Sequence, residues 1–170
     1  MTKNDPKSDT SKLDQFDWAI LQHLSQSGRL SVTDLADKIG LSKSPTQSRL
    51  RKLEAQGFIL GYRAILNPIR LGLDHVSFVE VRLSDTREAA LEAFNAAVRQ
   101  VPEIEQAHMI AGNFDYLLKV RVSDMHAYRR VLGEEISSLP HVASTSTYVA
   151  MEAVKEVMTR SDTGEHNNLP

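Results

Sequence analysis

The sequence predicts an α+β chain, a small helical unit followed by a split β-α-β unit. Three observations carry this. Residues 30–57, LSVTDLADKIGLSKSPTQSRLRKLEAQG, have the apolar spacing of two short helices joined by a tight turn. After Gly57 the period changes from helical to strand-like, beginning with FILGYRAIL at residues 58–66. From His75 onward strand and helix patterns follow in the order β-α-β-β-α-β, the ferredoxin-like arrangement.

Residues 13–27 read as the first helix. Leu13, Phe16, Ile20, Leu21 and Leu24 fall at near-helical spacing, Asp14 caps the start and Gly28 ends it. Ser31 and Asp34 form a capping-box-like start for Val32–Ile39, with Leu35 and Ile39 inward and Gly40 as the stop. Ser42 caps a third helix over residues 43–56, which Gly57 closes. Pro45 is tolerated there because its missing N–H falls in the first turn. Leu50 and Leu53 anchor this helix in the core. Residues 58–66, with Gly61 as a bend or bulge, supply the wing of a winged helix-turn-helix. Asn67-Pro68 and Gly72 mark a linker.

In the second half, residues 75–83 read as a strand. Residues 86–101 read as a helix with Leu91, Phe94, Val98 and Val101 on one stripe. Strands at residues 104–110 and 116–122 join through a Gly112-Asn113 turn. Residues 125–139 form a helix capped by Asp124, with Met125, Tyr128, Leu132, Ile136 and Leu139 inward, and residues 142–149 are the last strand. On the first strand Val76 and Phe78 point opposite to Val79, Val81 and Leu83. Both sheet faces are therefore partly apolar, and only one is covered by helices, which predicts a homodimer. The expected organisation is a disordered tail at 1–12, the winged unit at 13–66, a linker at 67–74, the ferredoxin-like domain at 75–155 and a flexible tail at 156–170.

Composition narrows the function. The net charge is −2, but residues 1–69 carry 10 Lys+Arg against 7 Asp+Glu, and residues 70–170 carry 10 against 15. Only the front half is suited to meeting phosphate, and its surplus is small enough that one copy binds weakly without a second. The absence of cysteine excludes disulfides, thiol nucleophiles and thiolate zinc sites. The histidines (His23, His75, His108, His126, His141, His166) show no metal-ligand spacing. No nucleotide-binding or nucleophile-elbow motif is present, so an enzyme is not expected, and neither is a cofactor or a metal. No apolar run reaches the roughly 20 residues a bilayer requires, and residues 1–12 lack an apolar signal core, which points to a cytoplasmic protein with no membrane partner.

The third helix opens polar (Ser42, Lys43, Ser44, Thr46, Gln47) and turns basic (Arg49, Arg51, Lys52). With Leu50 and Leu53 buried, helical spacing exposes Lys43, Ser44, Gln47, Ser48 and Arg51. Such a face suits a DNA major groove: Gln47 can pair with adenine and Arg51 with guanine, each worth about 1–3 kcal/mol of discrimination. Lys43 and Lys52 suit phosphate; Thr33, at the start of the second helix with Asp34, either touches phosphate or shares the favoured capping role, and Arg63 in the wing reaches phosphate or the neighbouring minor groove. The candidate DNA-binding set is Thr33, Ser42, Lys43, Ser44, Thr46, Gln47, Ser48, Arg51, Lys52 and Arg63. Tyr62 is either packed or groove-facing, and a plain solvated face is the bland alternative.

The segments LDQFDWAILQHLSQSGRLS (13–31), LADKIGLS (35–42), RLRKLEAQGFILGY (49–62), GNFDYLLKVRVSDMHAYRRVLGEEISSLPHV (112–142) and TYVAMEAVK (147–155) resemble the Lrp/AsnC family of bacterial and archaeal transcription regulators. The words LSDTREAALEAFNAAV and LSKSPTQ lean toward its proline-responsive, proline dehydrogenase-activating branch. One departure stands out: the family's Ser-Pro-Thr-Pro at the recognition helix reads Ser42-Lys43-Ser44-Pro45 here, which puts the family's operator preference in doubt. The resemblance implies a RAM-type second domain and nucleoid association. It also implies a homodimer assembling to a tetramer or octamer and an amino acid effector, proline or leucine favoured, bound between dimers near the Gly-x-Phe-Asp turn. That turn is Gly112, Asn113, Phe114 and Asp115. Met125, Tyr148, Val149 and Ala150 match positions tied to effector response, with His108 and Met109 beside the turn. Backbone N–H groups at the turn could hold a carboxylate and Asp115 an amino group. The structural alternative is an ordinary hairpin turn and core residues at Met125 and Val149. A different class of function, an amino-acid-binding ferredoxin-like protein with its front helices serving protein docking, is disfavoured by the polar-then-basic third helix. RNA binding through the sheet lacks the expected aromatics.

Overall fold

The structure is a computed structural model that describes residues 12–156. The tails expected at either end lie outside the described residues except Lys12 and Glu156. The described residues fall into two compact units, meeting between Ile65 and Leu66.

The first unit contains α1 (Gln15–Gln26), α2 (Val32–Ile39) and α3 (Lys43–Ala55). Asp14 caps α1 by accepting the Phe16 and Asp17 N–H groups, and Asp17 returns the favour to the Asp14 N–H. Ser31 caps α2 through the Asp34 N–H, and its hydroxyl donates to the Asp34 carboxylate at 2.7 Å. Gly40 (φ 70°) and Gly57 (φ 76°) sit in the left-handed region that lets the chain leave α2 and α3. Ile20, Leu35 and Leu53 form the centre of the core, with Leu21, Leu24, Leu50 and Phe58 around it.

Two expectations fail in this unit. Ser42 occupies the N-cap position of α3, but its hydroxyl makes no capping bond. Its carbonyl accepts the Thr46 N–H (3.3 Å), the first bond of the helix, and also the Thr46 hydroxyl (3.0 Å). The wing strand is also absent. Residues 59–66 run without a strand partner among the described residues, leaving Leu60, Ile65 and Leu66 exposed. A β-prone composition forms a strand only where a neighbour completes its hydrogen bonds.

The second unit begins with a short 3₁₀ turn, Ile69–Leu71, in which the Asn67 side chain accepts the Arg70 N–H and Gly72 (φ 72°) reverses the chain. Then come β1 (His75–Leu83), α4 (Glu88–Val98), β2 (Ile104–Met109), β3 (Tyr116–Val122), α5 (Met125–Arg130) and β4 (Val142–Val149). The helix expected over 125–139 is α only to Arg130. It widens to a π turn at Val131–Glu135 and tightens to a 3₁₀ turn at Ile136–Ser138. The sheet order is β2-β3-β1-β4, every neighbour antiparallel. This is the ferredoxin-like arrangement.

One face of the sheet carries Val79 and Val81 of β1 and Tyr116, Leu118, Val120 and Val122 of β3. It packs against Phe94 and Val98 of α4 and Tyr128, Val131, Ile136 and Leu139 from the second helical stretch. Phe94 and Tyr116 meet with ring centroids 4.4 Å apart. Phe94 is wholly buried at this junction. Phe94→Ala is expected to lower unfolding free energy by about 3–5 kcal/mol, read from urea denaturation of the full chain.

Candidate nucleic-acid interface and ligand site

The face of α3 is set by what its other side buries. Leu53 and Thr46 are fully buried. Lys43, Ser44, Ser48, Arg51 and Lys52 are exposed, as is Ser42 before them, and Gln47 is half-buried. Thr33 on α2 and Arg63 after α3 are exposed too. Arg49 aside, the structure therefore brings the hydroxyl, amide and cationic groups of α3 onto one accessible face, with the exception of Thr46. That residue is withdrawn from the candidate set: a side chain with no accessible surface, bonded to the Ser42 carbonyl, cannot reach a base or a phosphate.

Two further residues on or beside α3 take structural roles. Tyr62 is half-exposed but anchored: its hydroxyl donates to Glu54 Oε1 at 2.9 Å, tying the chain after α3 back onto that helix. Arg49, read from the sequence as one of the helix's basic groups, turns inward to Asp14 and Asp17. A clue to the second was available. Asp17 lies three residues before Ile20 on the apolar stripe of α1, and a carboxylate in that position requires a buried cation.

The candidate effector residues do not form one site within a chain. His108 and Met109 end β2, and the loop containing Gly112, Asn113, Phe114 and Asp115 leads into β3. This set sits where Met109 pairs with Tyr116 and Tyr116 with Val81. Tyr148 and Val149 pair with Phe78 and Ser77, and the Ala150 N–H donates to the Val76 carbonyl. Met125 follows Val122, whose partner is His75. Tyr148, Val149 and Ala150 therefore lie level with Lys119, Val120 and Arg121, three to five residues or about 10–16 Å along the sheet from the row of Val81 and Tyr116. Met125 lies beyond the far end of β3, roughly 20 Å from the Asp115 loop at about 3.3 Å per residue.

Local details at each end also depart from expectation. Neither Gly112 nor Asn113 has a left-handed φ, and the connection is a six-residue loop rather than a tight turn. Asp115 is half-buried and already engaged: its Oδ2 accepts the Leu83 N–H at 2.7 Å, where β1 shifts register against β4. It is a strut of the loop with one oxygen committed. At the other end Met125 and Val149 are not core residues, being 46% and 44% exposed. Tyr148 is exposed as well, while Tyr128 beneath β4 shares a 2.5 Å hydrogen bond with Thr147.

The uncovered sheet face carries a charge network that motif reading missed. Arg121 donates from Nε to Glu105 (2.6 Å), from Nη2 to Glu156 (2.7 Å) and from Nη1 to the Leu73 carbonyl (3.2 Å). Lys119 lies 3.0 Å from Glu105 and also bonds Glu156. Burial works against both cations, yet the paired carboxylates outweigh it and hold both pKa values above their ordinary range. Glu156 is in turn held below the usual carboxylate range, chiefly by Lys119. Glu156, the first residue of the tail expected to be flexible, is thus held on this face. The alternation Lys119-Val120-Arg121 does place both cations on one face, but nothing in the sequence names an acid 35 positions away. Phe78 and Tyr148, paired across β1 and β4, lie exposed on the same face. No group of metal-ligating side chains is assembled among the described residues, and no helix there is long and apolar enough to cross a membrane.

Burial and the hydrogen bond to Glu54 push the Tyr62 phenol up to about 12 from its ordinary 10. The folded state then keeps a proton that an unfolded chain releases. The stabilisation is full below pH 10 and is lost as pH rises from 10 to about 12. An ultraviolet tyrosinate titration of the wild type is expected to show a phenol ionising near that upper value that is missing from the titration of Tyr62→Phe.

Comparison with known proteins gives concordant matches to both units. Residues 13–59 match a family described as winged helix-turn-helix DNA-binding, and residues 76–159 match the Lrp/AsnC ligand binding domain. The chain is 62% identical over 147 residues to a proline dehydrogenase transcriptional activator of Rhizobium radiobacter, covering 86% of this chain and 94% of that one. It is 48% identical over 144 residues to the leucine-responsive regulatory protein of Escherichia coli K12, covering 85% and 88%. Among solved structures it resembles a transcriptional regulator of Neisseria meningitidis in complex with L-methionine. The TM-score is 0.81 at 31% identity, over 88% of this chain and 96% of that one.

Proposed function

The chain belongs to the Lrp/AsnC family of transcription regulators, and from that premise we propose that it reads a specific DNA sequence through α3 and adjusts that binding to a free amino acid, proline first and leucine second. The observation that carries the DNA reading is the accessible face of α3: Lys43, Ser44, Ser48, Arg51 and Lys52 exposed over a buried Leu53 and Thr46. In this reading Arg51 and Gln47 address bases. Ser42, Lys43, Ser44, Ser48, Lys52, Thr33 and Arg63 address the backbone and groove edges. Lys43 adds a charge where the family carries proline, so the operator differs from that of relatives with the proline. The two units correspond to DNA reading and to ligand sensing, as a cytoplasmic, nucleoid-associated regulator requires.

The ligand end of the proposal rests on the separation of the two effector sets. One amino acid cannot bridge the roughly 20 Å of sheet between the Asp115 loop and Met125. The set at Asp115 and the set at Met125 therefore act as halves of a site completed by another copy. A homodimer assembling further, to a tetramer or octamer, supplies that copy. Phe78 and Tyr148 on the uncovered sheet face, and the unpaired residues 59–66, are apolar surfaces suited to self-association. Relatives named for proline dehydrogenase activation and for leucine response support the choice of effectors, and the methionine complex supports an amino acid as the class.

A gel shift on the chain's own upstream DNA, at low and moderate salt, tests the first half. Wild type is expected to prefer that DNA over shuffled DNA, and Arg51→Ala to lose about 1–3 kcal/mol of that preference with its oligomer unchanged. Equal affinity of wild type for both DNAs would favour the protein-docking alternative. For the second half, thermal shift against the twenty amino acids is expected to select proline or leucine. Asp115→Ala and Met125→Ala should each be unresponsive alone, and their mixture should regain part of the response through mixed assemblies. A mixture as silent as its components would place both sets in one chain's site or in none.

A further inference from the structure

Arg49 sits in the middle of α3, between Gln47 and Arg51, yet it faces away from them. Its Nη1 donates to Asp17 Oδ1 at 2.8 Å and to Asp14 Oδ2 at 2.6 Å, and its guanidinium carbon lies 5.4 Å from the centre of the Phe16 ring. The Asp17 side chain is 2% exposed and that of Arg49 29%. These same two carboxylates form the capping box of α1. One guanidinium therefore ties the first turn of α1 to the centre of α3. Its hydrogen bonds to Asp17 and then to Asp14 raise the guanidinium pKa above its ordinary value.

Beyond this pairing and the Tyr62–Glu54 hydrogen bond, α3 packs on its neighbours through apolar contacts: Leu53 is buried against Ile20 and Leu35, with Leu50 beside them. Apolar contact is non-directional, so it fixes how much surface α3 hides more firmly than how the helix is rolled about its axis. A guanidinium shared by two carboxylates is directional, and one of those carboxylates is too deeply buried to lose its cation cheaply. A bidentate base contact tolerates little displacement. We infer that Arg49 is a positioning residue: through Asp14 and Asp17 it sets the roll of α3, and so governs discrimination between DNA sequences without touching DNA. This rests on the reading of α3 as the DNA-facing helix.

The test is equilibrium binding of the full chain to two duplexes across a salt series. One is the tightest binder that wild type selects from a random pool, the other a shuffled copy of it. If wild type does not distinguish them, the DNA-reading assignment fails and takes this inference with it. Given a wild-type preference, Arg49→Met and Asp17→Asn are each expected to cut the ratio of affinities about tenfold, within the worth of one misplaced base contact. The salt slope on the shuffled duplex should stay unchanged, because no phosphate contact is removed. The double variant should lose no more than the worse single variant, and Arg49→Lys should recover part of the preference. A salt slope reduced by about one in Arg49→Met, or losses that add in the double variant, would make Arg49 a phosphate contact and overturn the inference. If the Asp17 variant does not fold, Asp14→Asn takes its place, since that carboxylate is half-exposed and supplies only one of the two bonds. A smaller loss of the same kind is expected there, and a folded Asp14→Asn chain with full preference would overturn the inference.

Discussion

β1 is hydrogen-bonded on both sides, to β3 and to β4, and its register with each determines what the second unit can present. Ser77, Val79 and Val81 meet Val120, Leu118 and Tyr116 on β3 and Val149, Thr147 and Thr145 on β4. A slip of one residue against either neighbour would carry Val79 and Val81 from the helix-covered face to the open one. Phe78 meets Lys119 and Tyr148, and Val76 meets Arg121. The open face is consequently mixed, with a ridge of aromatic surface beside two nearly buried cations. Asp115 guards this register at its weakest point, bonding the Leu83 N–H where the β1–β4 ladder goes out of step.

The mixed character of that face matters for assembly. An all-apolar sheet face would associate strongly with many surfaces, whereas a face whose centre is an ion network accepts a partner only if the charges remain satisfied. Here the network is complete within the chain: Arg121 and Lys119 share Glu105 and Glu156, and Arg121 also holds the Leu73 carbonyl. A partner need not supply a charge, only cover Phe78 and Tyr148 without separating the pairs.

Elements governed by near neighbours in sequence were legible in advance. The three front helices, the glycine stops at Gly40 and Gly57 and the caps at Asp14, Ser31 and Asp124 depend on residues within four positions of one another, whereas α1 ends at Ser27 rather than at Gly28. The four strands and their antiparallel order followed from alternation and spacing. What escaped was set by distance in sequence or by absent partners. Arg49 meets Asp17 across 32 positions and Arg121 meets Glu156 across 35, so nothing near either in sequence pointed to its partner. Thr46 looked like one more hydroxyl in a polar helix start, but it lies on the side of α3 that Leu53 occupies. Residues 58–66 have strand composition, yet no strand lies beside them among the described residues. The candidate DNA face was therefore readable from helical periodicity, whereas the ligand residues, assigned by resemblance, carried no information about which of them lie together.

That separation bears on how a response could work. If the Asp115 set and the Met125 set belong to different copies when a ligand is bound, the ligand contacts an assembled state in a way that no free protomer can match. Differential affinity of this kind is sufficient for coupling: the amino acid stabilises whichever assembly juxtaposes the two half-sites, and that assembly binds the amino acid more tightly in return. The apparent affinity for ligand must then depend on protein concentration, because association and occupancy share one free energy. DNA enters the same linkage. An operator that engages several copies of α3 favours a particular spacing of front units, and any ligand that favours another spacing weakens binding without approaching the DNA. A strut such as Asp115 fits this scheme better than a mobile ligand contact. By fixing the loop against β1, it presents a rigid half-site whose completion is decided by the neighbouring copy.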